Sequence, residues 1–178
     1  APVHDIANSI RAAAADPRIA RLLVNLDGFS PSGMQTVAEL RDALVAFKAS
    51  KKPMIVYAPN FGRSHYLLAS AADHRWIDPM GHVDLSGPDF STPYISDLLT
   101  KAGIEIHVAK AGTFKSAVEP YILPNMSPQA RAQYTTILSG FRDSFFQTAF
   151  ADPATAKSQQ TDGGSTAEQA LAQRIVTK

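Results

Sequence analysis

The residue of this chain with the most chemical promise is a lysine set among apolar neighbours. Lys115 sits in Gly112-Thr113-Phe114-Lys115-Ser116-Ala117-Val118-Glu119-Pro120, just beyond a predicted strand. An amine serves as a general base only when it is neutral. That requires a fall from about 10.4 to roughly 7–8, which desolvation supplies. A fall of that size disfavours the charged form by about 4 kcal/mol. The local sequence fits this role, and it fits equally a lysine that snorkels to solvent. A second candidate is Ser64, in Phe61-Gly62-Arg63-Ser64. This loop falls between a predicted strand and a predicted helix, where a nucleophile elbow places its serine. Only half of G-x-S-x-G is present, because position 66 is Tyr. Ser64 fits equally as the N-cap of the helix that follows.

Other chemistries find little support. The five histidines, His4, His65, His74, His82 and His107, never pair at H-x-x-x-H spacing and have no acidic cluster beside them, so no metal site is expected. There is no cysteine, which excludes disulfides, thiolate metal sites and a cysteine nucleophile within these residues. No phosphate loop or G-x-G-x-x-G follows a predicted strand, so no nucleotide cofactor is expected. Lys plus Arg is 17 and Asp plus Glu is 16, a net charge of +1, which leaves no electrostatic footprint for nucleic acid.

The elements that must position Lys115 and Ser64 follow from periodicity. His4 to Ala15 reads as a helix stopped by Asp16-Pro17. Ile19 to Leu26 reads as a buried strand, and Asp27 to Gly33 as a turn. Thr36 to Ala49 is an amphipathic helix with Val37, Leu40, Leu44 and Phe47 on one face. Met54 to Ala58 is a second buried strand, Ser64 to Ala72 a helix, and Arg75 to Asp78 a third strand. A short strand is expected at Val83 to Ser86, and a helix at Thr92 to Ala102 with Gly103 beyond its end. Ile104 to Lys110 alternates as a strand with one solvated face. Ser127-Pro128 opens the longest helix, running to about Ala149. Asp152 to Ser165 is polar and reads as a loop, Thr166 to Gln173 as a short helix, and Arg174 to Val176 as a last strand. Strands alternating with helices predict an α/β fold with a largely parallel sheet. The 178 residues, 45% of them hydrophobic, suit one domain spanning 1–178. No apolar run reaches the roughly 18 residues that span a bilayer, and no signal peptide begins at Ala1.

Taken together, the motifs are similar to the N-terminal half of the long, tandem-domain signal peptide peptidase A family, also called protease IV. The likeness runs from Ala14-Ala15-Asp16-Pro17-Arg18-Ile19 through Phe47-Lys48-Ala49-Ser50-Lys51-Lys52-Pro53 and Tyr66-Leu67-Leu68-Ala69-Ser70-Ala71-Ala72-Asp73. It continues through Pro79-Met80-Gly81-His82-Val83 to Lys115-Ser116-Ala117-Val118-Glu119-Pro120 and Met126-Ser127-Pro128-Gln129-Ala130-Arg131. The tail from Gly163-Gly164-Ser165-Thr166-Ala167 to Ile175-Val176 resembles the family's GG-x-TA…LV run.

The resemblance implies a crotonase/Clp-protease type of α/β fold, largely parallel with flanking helices. It implies a Ser–Lys dyad that degrades signal peptides left in the membrane after cleavage. Lys115 then matches the general base, and the serine is expected from a C-terminal catalytic half. Counting back from Asp73, the family's serine position falls on Arg63 and not on Ser64. The expected partners are that C-terminal half, further copies in a homo-oligomer and a signal-peptide substrate, with no nucleic acid and no cofactor. The expected location is the periplasmic side of the bacterial inner membrane, with the anchor helix before Ala1. Two departures stand out. Leu26-Asp27-Gly28-Phe29-Ser30-Pro31-Ser32-Gly33 replaces the catalytic half's glycine-rich oxyanion turn, and Ala151 to Gly163 is shorter than expected. Two rival readings remain: a self-sufficient hydrolase pairing Ser64 with Lys115, and a non-catalytic assembly module in which Lys115 is structural.

Overall fold

Met54–Ala58 forms strand β2, in which Met54, Val56 and Ala58 are buried while Ile55 and Tyr57 are half-buried. The computed structural model describes residues 2–108, 116–151 and 163–178. They fall into two compact units, one of residues 1–86 and 145–178 and one of residues 87–144.

In the first unit β2 is the middle of three parallel strands, between β1 (Leu22–Asn25) and β3 (His74–Ile77). Helix α1 (Val3–Ala15) precedes β1, α2 (Met34–Lys48) joins β1 to β2, and α3 (Arg63–Ala69) joins β2 to β3. Parallel neighbours need such crossovers, so the fold is α/β with flanking helices, as the alternation predicts. The predicted apolar face of α2 is the buried one: Val37, Leu40, Leu44 and Phe47 join Met54, Val56 and Phe146 in the core. Lys52 ties down α1 by donating to the carbonyls of Ala13 at 3.0 Å and Asp16 at 2.6 Å, at the helix end where carbonyls lack partners.

Two strand expectations are corrected. The first predicted strand is shorter than Ile19 to Leu26 and is not buried. It lies at the sheet edge with Leu23 62% exposed. The register aligns Leu23 with Ile55 and Asn25 with Tyr57 and Trp76, and this face of the sheet is only partly covered. An apolar run reports hydrophobicity, not how many faces find a cover. Arg174 to Val176 forms no strand. Ile175 and Val176 are buried, and pairing begins one residue later, where Thr177 N donates to Arg75 O at 2.8 Å and Ile77 N to Lys178 O at 2.8 Å.

A small antiparallel pair, β4 (His82–Val83) with β5 (Ser165–Thr166), completes this unit and leads into α7 (Ala167–Ala172). The GG-x-TA run has a local reason. Thr166 accepts from Gln169 N at 3.3 Å while Gln169 Oε1 accepts from Thr166 N at 3.0 Å, a reciprocal cap that starts α7.

The second unit holds α4 (Ser96–Lys101), a 3₁₀ turn (Ser116–Val118), α5 (Glu119–Ile122) and most of α6 (Pro128–Ala149), which continues into the first unit from Phe145. Gly103 takes φ +71° just past α4, a left-handed turn for which glycine is suited. The expected strand at Ile104 to Lys110 is not formed over its described part: residues 104–108 are irregular. An alternating pattern makes a strand only when another strand accepts its hydrogen bonds.

Tyr66 links α3 to the C-terminal segment. Its ring is buried, stacked on Phe150 at 5.2 Å, and its hydroxyl donates to Ile175 O at 3.1 Å. Burial pushes its pKa up to about 12, with Arg75 opposing. A folded-state value above the unfolded one gives stability that is intact below about pH 10 and lost as the pH climbs toward 12. Tyr66→Phe is therefore expected to cost about 1 kcal/mol near neutrality, for the lost hydrogen bond. The gap to wild type should then close and reverse between about pH 10 and pH 12. Urea midpoints of both proteins across that range check this, and a constant gap would contradict it.

Candidate functional site

Lys115 lies outside the described residues, but the chain directly after it is described. Ser116 to Ile122 is helical throughout, first as the 3₁₀ turn and then as α5. Pro120 falls in the first turn of α5, where its missing N–H costs nothing. Glu119 is 3% exposed, the one charged or polar side chain fully buried among the described residues. Both carboxylate oxygens are engaged by a single residue. Ser127 Oγ donates to Oε1 at 2.7 Å and Ser127 N donates to Oε2 at 3.1 Å. Ser127 Oγ in turn accepts from Ala130 N at 3.1 Å, capping α6 as the sequence predicts. A carboxylate at a helix start also faces the positive end of the helix dipole. The K-S-A-V-E-P and M-S-P-Q-A-R motifs are thus two sides of one hydrogen-bonded clasp. Sequence reasoning missed this role of Glu119. The available signal was an acid flanked by Ala117-Val118 on one side and Tyr121-Ile122-Leu123 on the other.

The segments on either side of residues 109–115 also meet. Ile104 and Ile106 from before, and Tyr121 and Ile122 from after, line a groove of about 480 Å³.

In the other unit, the loop from β2 to α3 carries Ser64. The N-cap of α3 is Gly62, with no side-chain cap, so Ser64 is the second helical residue and the expectation that it caps the helix is corrected. The helix begins one residue earlier than its apolar pattern indicates. Ser64 is half-buried within α3, and its hydroxyl makes no hydrogen bond among the described residues. A serine nucleophile needs a base within about 3 Å. The Ser64–Lys115 pairing involves a residue outside the described ones. Arg63 is exposed at the first position of α3. The Asp84 carboxyl is held below its usual range by the Ser86 hydroxyl at 2.6 Å, then by Ser86 N at 3.0 Å, with lesser help from His82 and Arg63. The start of α3 therefore presents an exposed cation, Arg63, beside the half-buried Ser64.

The loop is stitched to β4. Phe61 N donates to His82 O at 3.0 Å, Asp84 N to Phe61 O at 2.8 Å, and His82 N to Asn60 Oδ1 at 3.0 Å. The turn Leu26 to Gly33 folds on itself: Asp27 N donates to Asn25 Oδ1 at 2.9 Å and Phe29 N to Leu26 O at 3.0 Å. Those two amides are occupied within the turn, whereas an oxyanion hole requires donors left free. Phe29 instead meets His65 edge-on at 5.7 Å. Among the described residues no group of three or more His, Asp or Glu is placed to hold a metal ion, and no helix is long and apolar enough to cross a membrane.

Comparison with known proteins places this geometry in a family. The pattern of peptidase family S49 matches residues 46–176, and the chain belongs to that family. Protease 4 of Salmonella typhi is 32% identical over 186 residues, covering 98% of this chain and 30% of that protein. A chloroplastic protein of Arabidopsis thaliana, Serine protease SPPA, is 32% identical over 105 residues, covering 59% of this chain and 15% of its own length. This chain thus spans less than a third of either relative. The solved structure of ThnE from S. clavuligerus aligns with 98% of this chain and 64% of its own, at 12% identity and a TM-score of 0.49.

The stitched loop makes one position testable. A Cβ on Gly81 would lie 2.1 Å from Pro59 O and 2.9 Å from Asp78 O. Backbone atoms cannot yield as a side-chain tip does. Gly81→Ala is expected to destabilise the fold by about 1–3 kcal/mol. Urea unfolding measures this, and an unchanged midpoint would count against the packing described.

Proposed function

We propose that this chain is the lysine-donating domain of a Ser–Lys dyad peptidase, with Lys115 as general base and the serine supplied by another domain. The observation that carries the reading is the make-up of the unit holding both flanks of Lys115. Among its described residues only Ala130 and Glu119 are buried. Seven large apolar side chains of the same unit are exposed, among them Leu98 at 64%, Ile104 at 50% and Phe141 at 65%. The described part of the unit lacks the apolar core that offsets chain entropy, and a covering partner answers that need. Membership of family S49 supports a peptidase role, the greater length of both relatives leaves room for a C-terminal catalytic half, and the proposed partners are that half and further copies of the chain. The exposed start of α3, with Arg63 where the family's serine falls, supports a nucleophile from outside.

The chemistry follows from the pair. The serine oxygen bonds to the peptide carbonyl carbon while its proton passes to the neutral Lys115 amine. Collapse of the tetrahedral adduct breaks the C–N bond, and the proton moves from Lys115 to the departing amine. Water, deprotonated by the same lysine, then releases the acyl group and regenerates the serine. The proposed substrates are signal peptides remaining in the membrane after cleavage, met at the periplasmic face of the inner membrane.

In the full-length protein, Lys115→Ala is expected to lower turnover of a peptide substrate by a hundredfold or more, on the order seen for loss of a general base, with folding intact. Lys115→Arg should fail almost as badly, because a guanidinium stays protonated at working pH. Near-normal activity in Lys115→Arg would make the residue a charge or packing element. This chain alone should show no turnover of an ester or peptide. Turnover abolished by Ser64→Ala would instead establish the self-sufficient hydrolase.

A further inference from the structure

We infer that Glu119 is a positioning residue for the proposed base, acting through its clasp on Ser127. The inference rests on the reading of Lys115 as that base. Residues 116–122 form a continuous helical segment, and Glu119 lies within it four positions after Lys115. In a 3₁₀ turn such as Ser116 to Val118 each residue fixes the next by about 120° of rotation and about 2.0 Å of rise. Anchoring Glu119 therefore fixes the 3₁₀ turn that begins at Ser116, the residue directly after Lys115. The anchor is doubly specified, since one carboxylate takes both the amide and the hydroxyl of Ser127. The hydroxyl also holds Ala130 N, so the clasp is locked to the first turn of the 22-residue α6. A second tie, Ile95 N to Pro120 O at 2.8 Å, fixes the neighbouring residue against the approach to α4. A buried carboxylate is a costly way to join two segments, because an apolar contact joins them without desolvating a charge. What the carboxylate adds is direction: two oxygens at fixed geometry hold an orientation that a greasy contact leaves free. General-base catalysis depends on such orientation, and misplacement by about 1 Å costs on the order of a hundredfold.

The test uses the full-length peptidase and four variants, Glu119→Ala, Ser127→Ala, the double variant and Ser127→Thr, with Lys115→Ala as reference. Each single alanine variant is expected to lose on the order of ten- to a hundredfold in kcat, with KM held within about twofold. The double variant should be no worse than the worse single one, because either change opens the same clasp. Ser127→Thr, which keeps both donors, should restore kcat. In this chain, amide exchange at Ser116 to Ile122 should quicken in Ser127→Ala while β2 is unchanged. If Glu119→Ala fails to fold, Ser127→Ala, which retains the amide donor, carries the test. Wild-type kcat in folded Ser127→Ala, additive losses, or a loss expressed wholly in KM would each overturn the positioning role. Retained turnover in Lys115→Ala would remove the base reading, and this role with it. An inactive Lys115→Ala beside fully active clasp variants would sink the positioning role alone.

Discussion

A carboxylate removed from water must be repaid in hydrogen bonds, and the unit around Glu119 is organised by that requirement. Its two oxygens recruit one serine, the serine starts the longest helix, and the turn following Lys115 is held against that start. Little else in the described part of this unit is buried, so directional bonds take the place of apolar packing in ordering it. The other unit is organised in the opposite way. There Phe47, Met54, Val56 and Phe146 build a conventional core, and polar contacts serve mainly to close helix ends and stitch loops.

How much of this was readable in advance depended on which interaction governs each residue. The face of α2 was legible because its period is set by a local geometry, and a buried helix face repeats every three to four residues. The start of α6 was legible for the same kind of reason, since Ser127-Pro128 carries cap and first residue together. The edge position of β1 was not, because an apolar strand reads alike whether one face or two are covered. Nor was the irregular course of residues 104–108, which turns on the lack of a partner strand among the described residues and not on its own alternation.

The site was legible in a different sense. Lys115 stood out by its neighbours, and the motif around it was recognisable, but its surroundings are a matter of tertiary structure. Ser64 shows the limit of local reasoning. Its type and its place after a strand fit a nucleophile, yet a shift of one residue in the helix start changes what it faces. The cap at Gly62 emerges only once the loop is seen pinned to His82 and Asp84 by backbone bonds. Gly81 is the sequence's trace of that pinning, since a side chain there has no space beside Pro59 O.

On the proposed reading, assembly and activation become a single event. A lysine that works as a base must lose water, and holding it neutral near pH 7 costs about 4 kcal/mol of charge preference. Among the described residues of its unit seven large apolar side chains lie open to solvent, and no dry apolar interior is formed that could impose that preference. The partner surface that covers Leu98, Ile104 and Phe141 would supply both things at once: the burial that stabilises the unit and the exclusion of water that shifts the lysine. On this reading the apolar contact that completes the unit would also create the chemistry of its site.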